Sequence, residues 1–295
     1  MTALALLRAV LRRPRPHPVD PSTPAPTTRL TTTRTPDPAH LAAYRRVCGF
    51  EASPGGVLPP TYPHVLAFPL SMRLMTAPDF PLPLLGLVHT SIEIDRHRPI
   101  RPTDALHLTV RTTALTPHRR GTEATLLTEA ASADGELLWE SRSTYLARHK
   151  TAPTTTPASA PDHARTRTHT HSEPWQLPAG LGRRYAAVSG DRNPIHLHAL
   201  TARPFGFPRA IAHGMWTAAR CLAEREDQRT PSHTPTHTRI EFKAPVPLPS
   251  TVTYSTPTPH TFELRGPEGR LHLTGTTTEP GAAPGRGTVP SDVLP

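Results

Sequence analysis

The sequence predicts an α+β protein made of two similar units, each a helix packed against an antiparallel sheet. Three observations carry that prediction. A stretch with helical spacing is followed by a series of strand-like runs, and this order occurs twice. The two halves align without a gap at an offset of 146 residues, where Ile94, Pro99, Ile100, Asp104 and Leu106 match Ile240, Pro245, Val246, Ser250 and Val252. Stretches crowded with Pro, Thr, Ala and Arg set the patterned segments apart from the ends and from each other. Five matches arise easily by chance in a chain with 39 prolines, so the shared order of elements is what makes duplication the better reading. A helix with an apolar stripe laid on a sheet with an apolar face buries both.

Residues 1–36 lack periodic pattern and read as a low-complexity N-terminal tail. The first unit spans 37–150. In it an apolar helical stretch, Val65 to Met75, precedes strand-like runs at Leu87–Asp95, Ala105–Leu115, Thr122–Ala131 and Glu136–Ala147. Residues 151–173 are rich in Pro, Thr and His and read as a linker; His163, His169 and His171 there read as solvated rather than as a metal site. The second unit spans 174–279. Its helix, Gly214 to Glu226, rests on Met215, Ala219 and Leu222 at i, i+4 and i+7. Runs at Thr238–Lys243, Thr251–Thr256, Thr261–Arg265 and Arg270–Thr277 follow it, and 280–295 read as a disordered tail.

Composition narrows the function classes. The formal charge of +10 raises the question of an anionic partner. The 33 Lys and Arg are spread along the chain, with no basic run of five or six, no zinc-finger spacing and no RNA-recognition aromatic motif. A solvated, arginine-rich surface or a small polyanionic ligand fits better than nucleic acid. The only cysteines, Cys48 and Cys221, exclude a disulfide framework and a four-cysteine metal centre and suit a reducing compartment. Met1 to Leu11 is apolar but short, and Arg12, Arg13 and Arg15 follow it, the reverse of a secretory signal. No segment approaches the length of a membrane span. The expectation is a soluble, cytoplasmic protein.

The chemistry concentrates in Tyr185-Ala-Ala-Val-Ser189-Gly190-Asp191-Arg-Asn193-Pro194-Ile-His196. By local rules Ser-Gly-Asp is a turn, Asn193 is a good N-cap and Pro194 suits the first helical position. His196 then sits on a first helical turn and Asp191 in the loop before it, so a carboxylate and an imidazole can converge as an acid/base pair. On those rules alone the same residues are equally a turn, a cap and an ordinary histidine.

The whole pattern resembles the signature of the MaoC-like (R)-specific enoyl-CoA hydratase family, hydratase 2. That signature is an aromatic, a small residue, then Gly-Asp-x-Asn-Pro-aliphatic-His, with a small residue six positions on, here Ala202. A second family feature follows at Gly206 to Met215, where His213-Gly214 opens the central helix. The resemblance implies a double hot-dog fold of the actinobacterial type. It is close over 174–279 and looser over the first unit, where Thr61 to Pro69 and Leu87-Val-His89 look similar but the Gly-Asp-x-Asn-Pro-x-His motif is missing. The first unit is therefore expected to be non-catalytic, with His64 and His89 structural or pocket-lining.

What the resemblance implies is hydration of a trans-2-enoyl thioester, or the reverse dehydration of a (3R)-hydroxyacyl thioester. Asp191 and His196 would activate water. The Gly214 amide, at a helix N-terminus where donors are free, would polarise the thioester carbonyl. Asn193, Ser189, Gly190, Arg209, His213 and Lys243 are the candidate substrate-binding residues. No metal and no cofactor are expected beyond the coenzyme A or acyl carrier protein that carries the substrate, and a homodimer is conceivable. The rival readings are a thioesterase, a non-catalytic acyl-thioester-binding protein and, from charge alone, a nucleic-acid binder.

Overall fold

The computed structural model describes residues 24–51, 56–84, 86–151, 171–227 and 237–278. In chain order the first half holds β1 (Arg29–Arg34), α1 (Pro38–Cys48), α2 (Tyr62–Met75), β2 (Leu87–Arg96), β3 (Leu106–His118), β4 (Gly121–Ala131) and β5 (Leu137–Arg148). The second half holds β6 (Ser172–Leu177), α3 (Leu181–Ser189), α4 (Pro194–Leu197), α5 (Ala199–Ala202), α6 (Gly214–Asp227), β7 (His237–Phe242), β8 (Ser250–Thr258), β9 (Thr261–Arg265) and β10 (Leu271–Thr278).

All ten strands form one antiparallel sheet in the order β1-β3-β4-β5-β2-β7-β10-β9-β8-β6. Outward from the central β2–β7 seam, the position of each strand of the first half is mirrored by the strand five later in the chain. At the seam Glu93 faces Arg239, and the two side chains form an ion pair. These residues stand 146 positions apart, the offset at which the two halves of the sequence align, so the two repeats are related about this one pair, where equivalent residues face each other. The duplication extends to α1 and α3. Both end at a glycine in the left-handed region, Gly49 at φ 79° and Gly190 at φ 74°, whose N–H bonds the carbonyl four residues back. Only glycine takes that conformation without steric cost.

Each half wraps its sheet around one helix, the double hot-dog arrangement. In α6, Met215, Trp216, Ala218, Ala219, Cys221, Leu222 and Ala223 are all buried, so the helix is enclosed on every side and not only along a stripe. Its last turn is tied to the sheet by Arg225, which lies over Phe262 of β9 and donates to Thr277 of β10. In α2, Val65, Leu70 and Leu74 pack into the same continuous core, which takes in Ile92 and Ile94 of β2 and Leu106, Leu108 and Val110 of β3.

Three parts of the sequence reading need correction. β1 lies inside the stretch read as tail, paired along its length with β3; its Thr-rich sequence favours strand, but only Leu30 gives it an apolar contact to read. α1 adds a helix at the start of the first unit, where Asp37 caps it by accepting from the His40 amide and Pro38 opens it. β6 begins inside the stretch read as linker, and His171 just before it receives a hydrogen bond from Thr256 on its carbonyl and packs its ring on Tyr254. Pro174 within β6 is tolerated because the strand is at the sheet edge. Met1 to Leu11, His163, His169 and residues 280–295 lie outside the described residues. Among the described residues no helix is long and apolar enough to cross a membrane.

Candidate active site

The site is built at the point where α3 stops. After Gly190 turns the chain, the Asp191 amide bonds Ser189 Oγ at 3.2 Å, and Asp191 Oδ1 accepts from the Asn193 amide at 3.1 Å. This side-chain turn is what Asp does best before a helix, and it fixes the carboxylate. Asn193 then caps α4, its Oδ1 accepting from Ile195 N at 3.4 Å, with Pro194 at the start of the helix. Ser189, Gly190 and Asn193 thus shape the loop that presents Asp191.

His196 is buried on α4 and held twice by Ile211, which passes beside it. The Ile211 amide bonds the Ile195 carbonyl at 3.0 Å, and His196 Nδ1–H donates to the Ile211 carbonyl at 2.8 Å. A carbonyl only accepts, so the proton is on Nδ1 and Nε2 carries the lone pair. The segment Ala210–Ala212 is itself clamped, with Ala212 N to Val246 O at 2.8 Å and Leu248 N to Ala210 O at 2.7 Å.

His213 completes the cluster. Its Nε2–H donates to the Asp191 carbonyl at 3.0 Å and lies 3.9 Å from Asp191 Oδ2. Its ring stacks on His196 with centroids 3.8 Å apart, and Tyr185 packs on it at 4.9 Å. One donor atom each from Asp191, His196 and His213 lie within 4.8 Å of one another, a spacing that a metal ion could also bridge. Burial lowers the His196 pKa, against the opposing pull of Asp191 and of the Ile211 hydrogen bond. Burial, reinforced by His196, takes His213 down to about 3. Both rings are therefore neutral near pH 7.

Gly214 opens α6 directly after this cluster. Trp216 N and Thr217 N both bond the His213 carbonyl, at 3.1 and 3.2 Å, leaving the Gly214 and Met215 amides ahead of those bonds. A β-carbon at Gly214 would stand 3.2 Å from the Phe242 ring, so the bare glycine keeps the helix entrance open on that side. Asp191, His196, His213 and the α6 N-terminus therefore converge. The structure does not bring Arg209 or Lys243 into this group. Arg209 is exposed and donates to the Pro249 carbonyl at 3.1 Å; Lys243, just past the end of β7, pairs with Glu241 at 2.5 Å.

Several residues that position the site carry no motif. A β-carbon on Gly182 would lie 1.9 Å from the His196 carbonyl oxygen, so α3 and α4 touch backbone to backbone there. His40 of α1 donates through Nε2 to the Val188 carbonyl at 2.8 Å and accepts at Nδ1 from Tyr62 at 2.8 Å, locking the end of α3 to α1 and α2. The His40–Val188 bond joins parts of the chain 148 residues apart, and no local pattern announces any of these contacts.

Comparison with known proteins follows the same lines. Residues 154–258 match a family model described as MaoC like domain, and residues 30–138 match one described as FAS1-like, dehydratase domain region. The chain is 39% identical over 215 residues to the 3-hydroxyacyl-thioester dehydratase X of Mycobacterium tuberculosis, covering 73% of this chain and 74% of that protein. The crystal structure of HtdX from the same organism superposes with a TM-score of 0.70 at 33% identity, over 85% of this chain and 99% of that one. A MaoC-like dehydratase from Phytophthora capsici shares the fold, with a TM-score of 0.71 at 17% identity over 90% of this chain and 100% of that one.

Proposed function

The chain belongs to the MaoC-like dehydratase family, and on that footing we propose that it is a hydro-lyase acting on acyl thioesters, with Asp191 and His196 as its acid/base pair. The reaction is addition of water across a trans-2-enoyl thioester, or loss of water from a (3R)-hydroxyacyl thioester. The 3-hydroxyacyl thioester named for the relative supports that substrate class. The observation that carries the assignment is the fixed tautomer of His196, whose Nε2 lone pair is left free beside a carboxylate.

A water held between Asp191 and His196 Nε2 gives one hydrogen to each acceptor, which turns an oxygen lone pair toward C3 of the substrate. As the new C–O bond forms, the pair takes up one proton from that water. Electrons of the C2–C3 double bond shift toward the thioester, whose oxygen accepts from the Gly214 amide. The pair then returns a proton to C2. General acid–base help of this kind contributes about 10²–10⁴-fold, and one oxyanion donor roughly 10²–10³-fold. Reversal of the same steps is dehydration. The substrate is carried on coenzyme A or on an acyl carrier protein; no cofactor takes part in these steps.

Asp191→Asn and His196→Ala test this directly. Each is expected to abolish hydration of a short enoyl-CoA while circular dichroism and thermal melting stay close to wild type. Wild-type rates in either purified variant would refute the assignment.

A further inference from the structure

The first repeat sends its own polar side chains to this site. In β2, Ile92 and Ile94 point into the core, and strict alternation would turn His89 to the opposite face. The β2–β5 register shifts between His89 and Ser91, and Thr90, left unpaired, donates to the Thr144 carbonyl at 3.2 Å. Such a bulge re-aims the residue beside it, and His89 comes round to the core face. There it stacks on its cross-strand partner Tyr145 at 4.5 Å and packs at a tilt against Phe242 at 4.9 Å, the ring that a β-carbon on Gly214 would meet. His64, on the first turn of α2, lies parallel to His89 with centroids 6.3 Å apart and within electrostatic reach of Asp191. One turn further along α2, Phe68 stands 3.8 Å from the β-carbon position of Gly190.

This wall is polar and incomplete. His64 Nδ1 and His89 Nε2 are enclosed with no hydrogen-bond partner. Burial holds both rings neutral, His64 down to about 4 and His89 to about 3. They have therefore a donor and acceptor to offer, and no charge. A plain alkyl chain laid against them leaves those nitrogens unsatisfied, whereas an uncharged oxygen satisfies them.

We propose that His64 and His89 are specificity-determining residues that select acyl chains carrying a hydroxyl or oxo group a few bonds beyond C3. The inference rests on the acyl-thioester reading above and adds the class of acyl group. A site built to hydrogen-bond a substrate oxygen discriminates strongly against the analogue that lacks it.

The test uses two trans-2-enoyl-CoA substrates of equal length, one plain and one with a hydroxyl at C5. Hydration rates are measured, and the matching saturated acyl-CoA pair is titrated by calorimetry. The wild type is expected to favour the hydroxylated member roughly tenfold or more, in kcat/KM and in affinity. His89→Phe keeps a ring on Tyr145 and removes the nitrogen, so both ratios fall to near one. His64→Leu does the same, while His64→Gln, with a donor and an acceptor, retains part of the preference. A wild-type binding ratio near one, or a preference that survives His89→Phe and His64→Leu together, overturns the proposal. Turnover of both substrates with equal affinity sinks the polar wall alone; selective binding without turnover sinks the hydro-lyase reading alone.

Discussion

His196 and His213 lie with ring centroids 3.8 Å apart, and each gives its single ring proton to a backbone carbonyl, Ile211 for one and Asp191 for the other. Two imidazoles in such contact repel only when both are charged, and burial already favours the neutral form of each. Burial is therefore what keeps a lone pair on His196 Nε2 at acidic pH, while His213 holds the ring and the Asp191 loop in place. The acid limb of kcat/KM is expected below the ordinary imidazole value of about 6.5, because protonating His196 is what removes the lone pair. His213→Phe keeps the ring stack and deletes the bond to Asp191. It is expected to lower kcat by up to about 10²-fold, the scale set by a small misplacement of a reacting group. Wild-type kcat in that variant would show that His213 is packing only.

Gly182 has no place in the motif, yet its backbone is the support on which His196 rests. A methyl group there would stand 1.9 Å from the His196 carbonyl oxygen, far inside contact distance. Both partners are backbone, so relief requires moving α4 and with it the lone pair. Gly182→Ala is expected to cost more activity than Asn193→Ala. The latter removes a cap worth about 1 kcal/mol, and the Pro194 start remains. Enoyl-CoA hydration and thermal melts on both variants decide the order.

The first repeat keeps the frame of the site without its chemistry. Tyr44-Arg-Arg-Val-Cys-Gly49-Phe50 lines up with Tyr185-Ala-Ala-Val-Ser-Gly190-Asp191, so Phe50 stands where the carboxylate would be. Phe50 is buried, 6% exposed, and packs on Tyr44. Phe50→Asp is expected to destabilise the protein by roughly 2–4 kcal/mol, as an unpaired buried polar group does. It should restore no activity to Asp191→Asn, since no histidine accompanies it; recovered turnover in the double variant would contradict a single centre per chain.

What the sequence revealed and what it hid divide along a physical line. Eight strands and both central helices follow from periodicity, since β2 to β5 and β7 to β10 carry regular apolar patterns and α2 and α6 bury theirs almost completely. β1 escaped because Thr and Arg fill it and Leu30 is its one apolar residue, and the start of β6 escaped because its first residues, Ser172, Glu173 and Pro174, are polar or strand-breaking and only Trp175 and Leu177 show an apolar face. Asp191, Asn193 and His196 stood out through the contiguous motif they share with the MaoC-like family, since local rules alone read them equally as a turn, a cap and an ordinary histidine. The approach of Gly182, the brace from His40 and the turned His89 depend on contacts made only after folding. The bulge at Thr90 is a one-residue shift in register, and such a shift reverses every side chain beyond it.

Buried neutral histidines also tie stability to pH, and the sign can be worked out. In the unfolded chain a histidine titrates near 6.5, whereas His64 is held down to about 4 and His89 and His213 to about 3, with His196 lowered as well. Between those values the unfolded state binds protons that the folded state refuses, so stability falls as pH drops below about 6.5 and goes on falling until the folded groups titrate. Each such histidine contributes a slope of about 1.4 kcal/mol per pH unit. His64→Leu removes one of the four, so its plot of unfolding free energy against pH should be flatter by about that amount between roughly pH 5 and 6. Urea denaturation across that window measures the slope directly, and an identical slope in wild type and variant would mean that His64 is protonated in the folded protein.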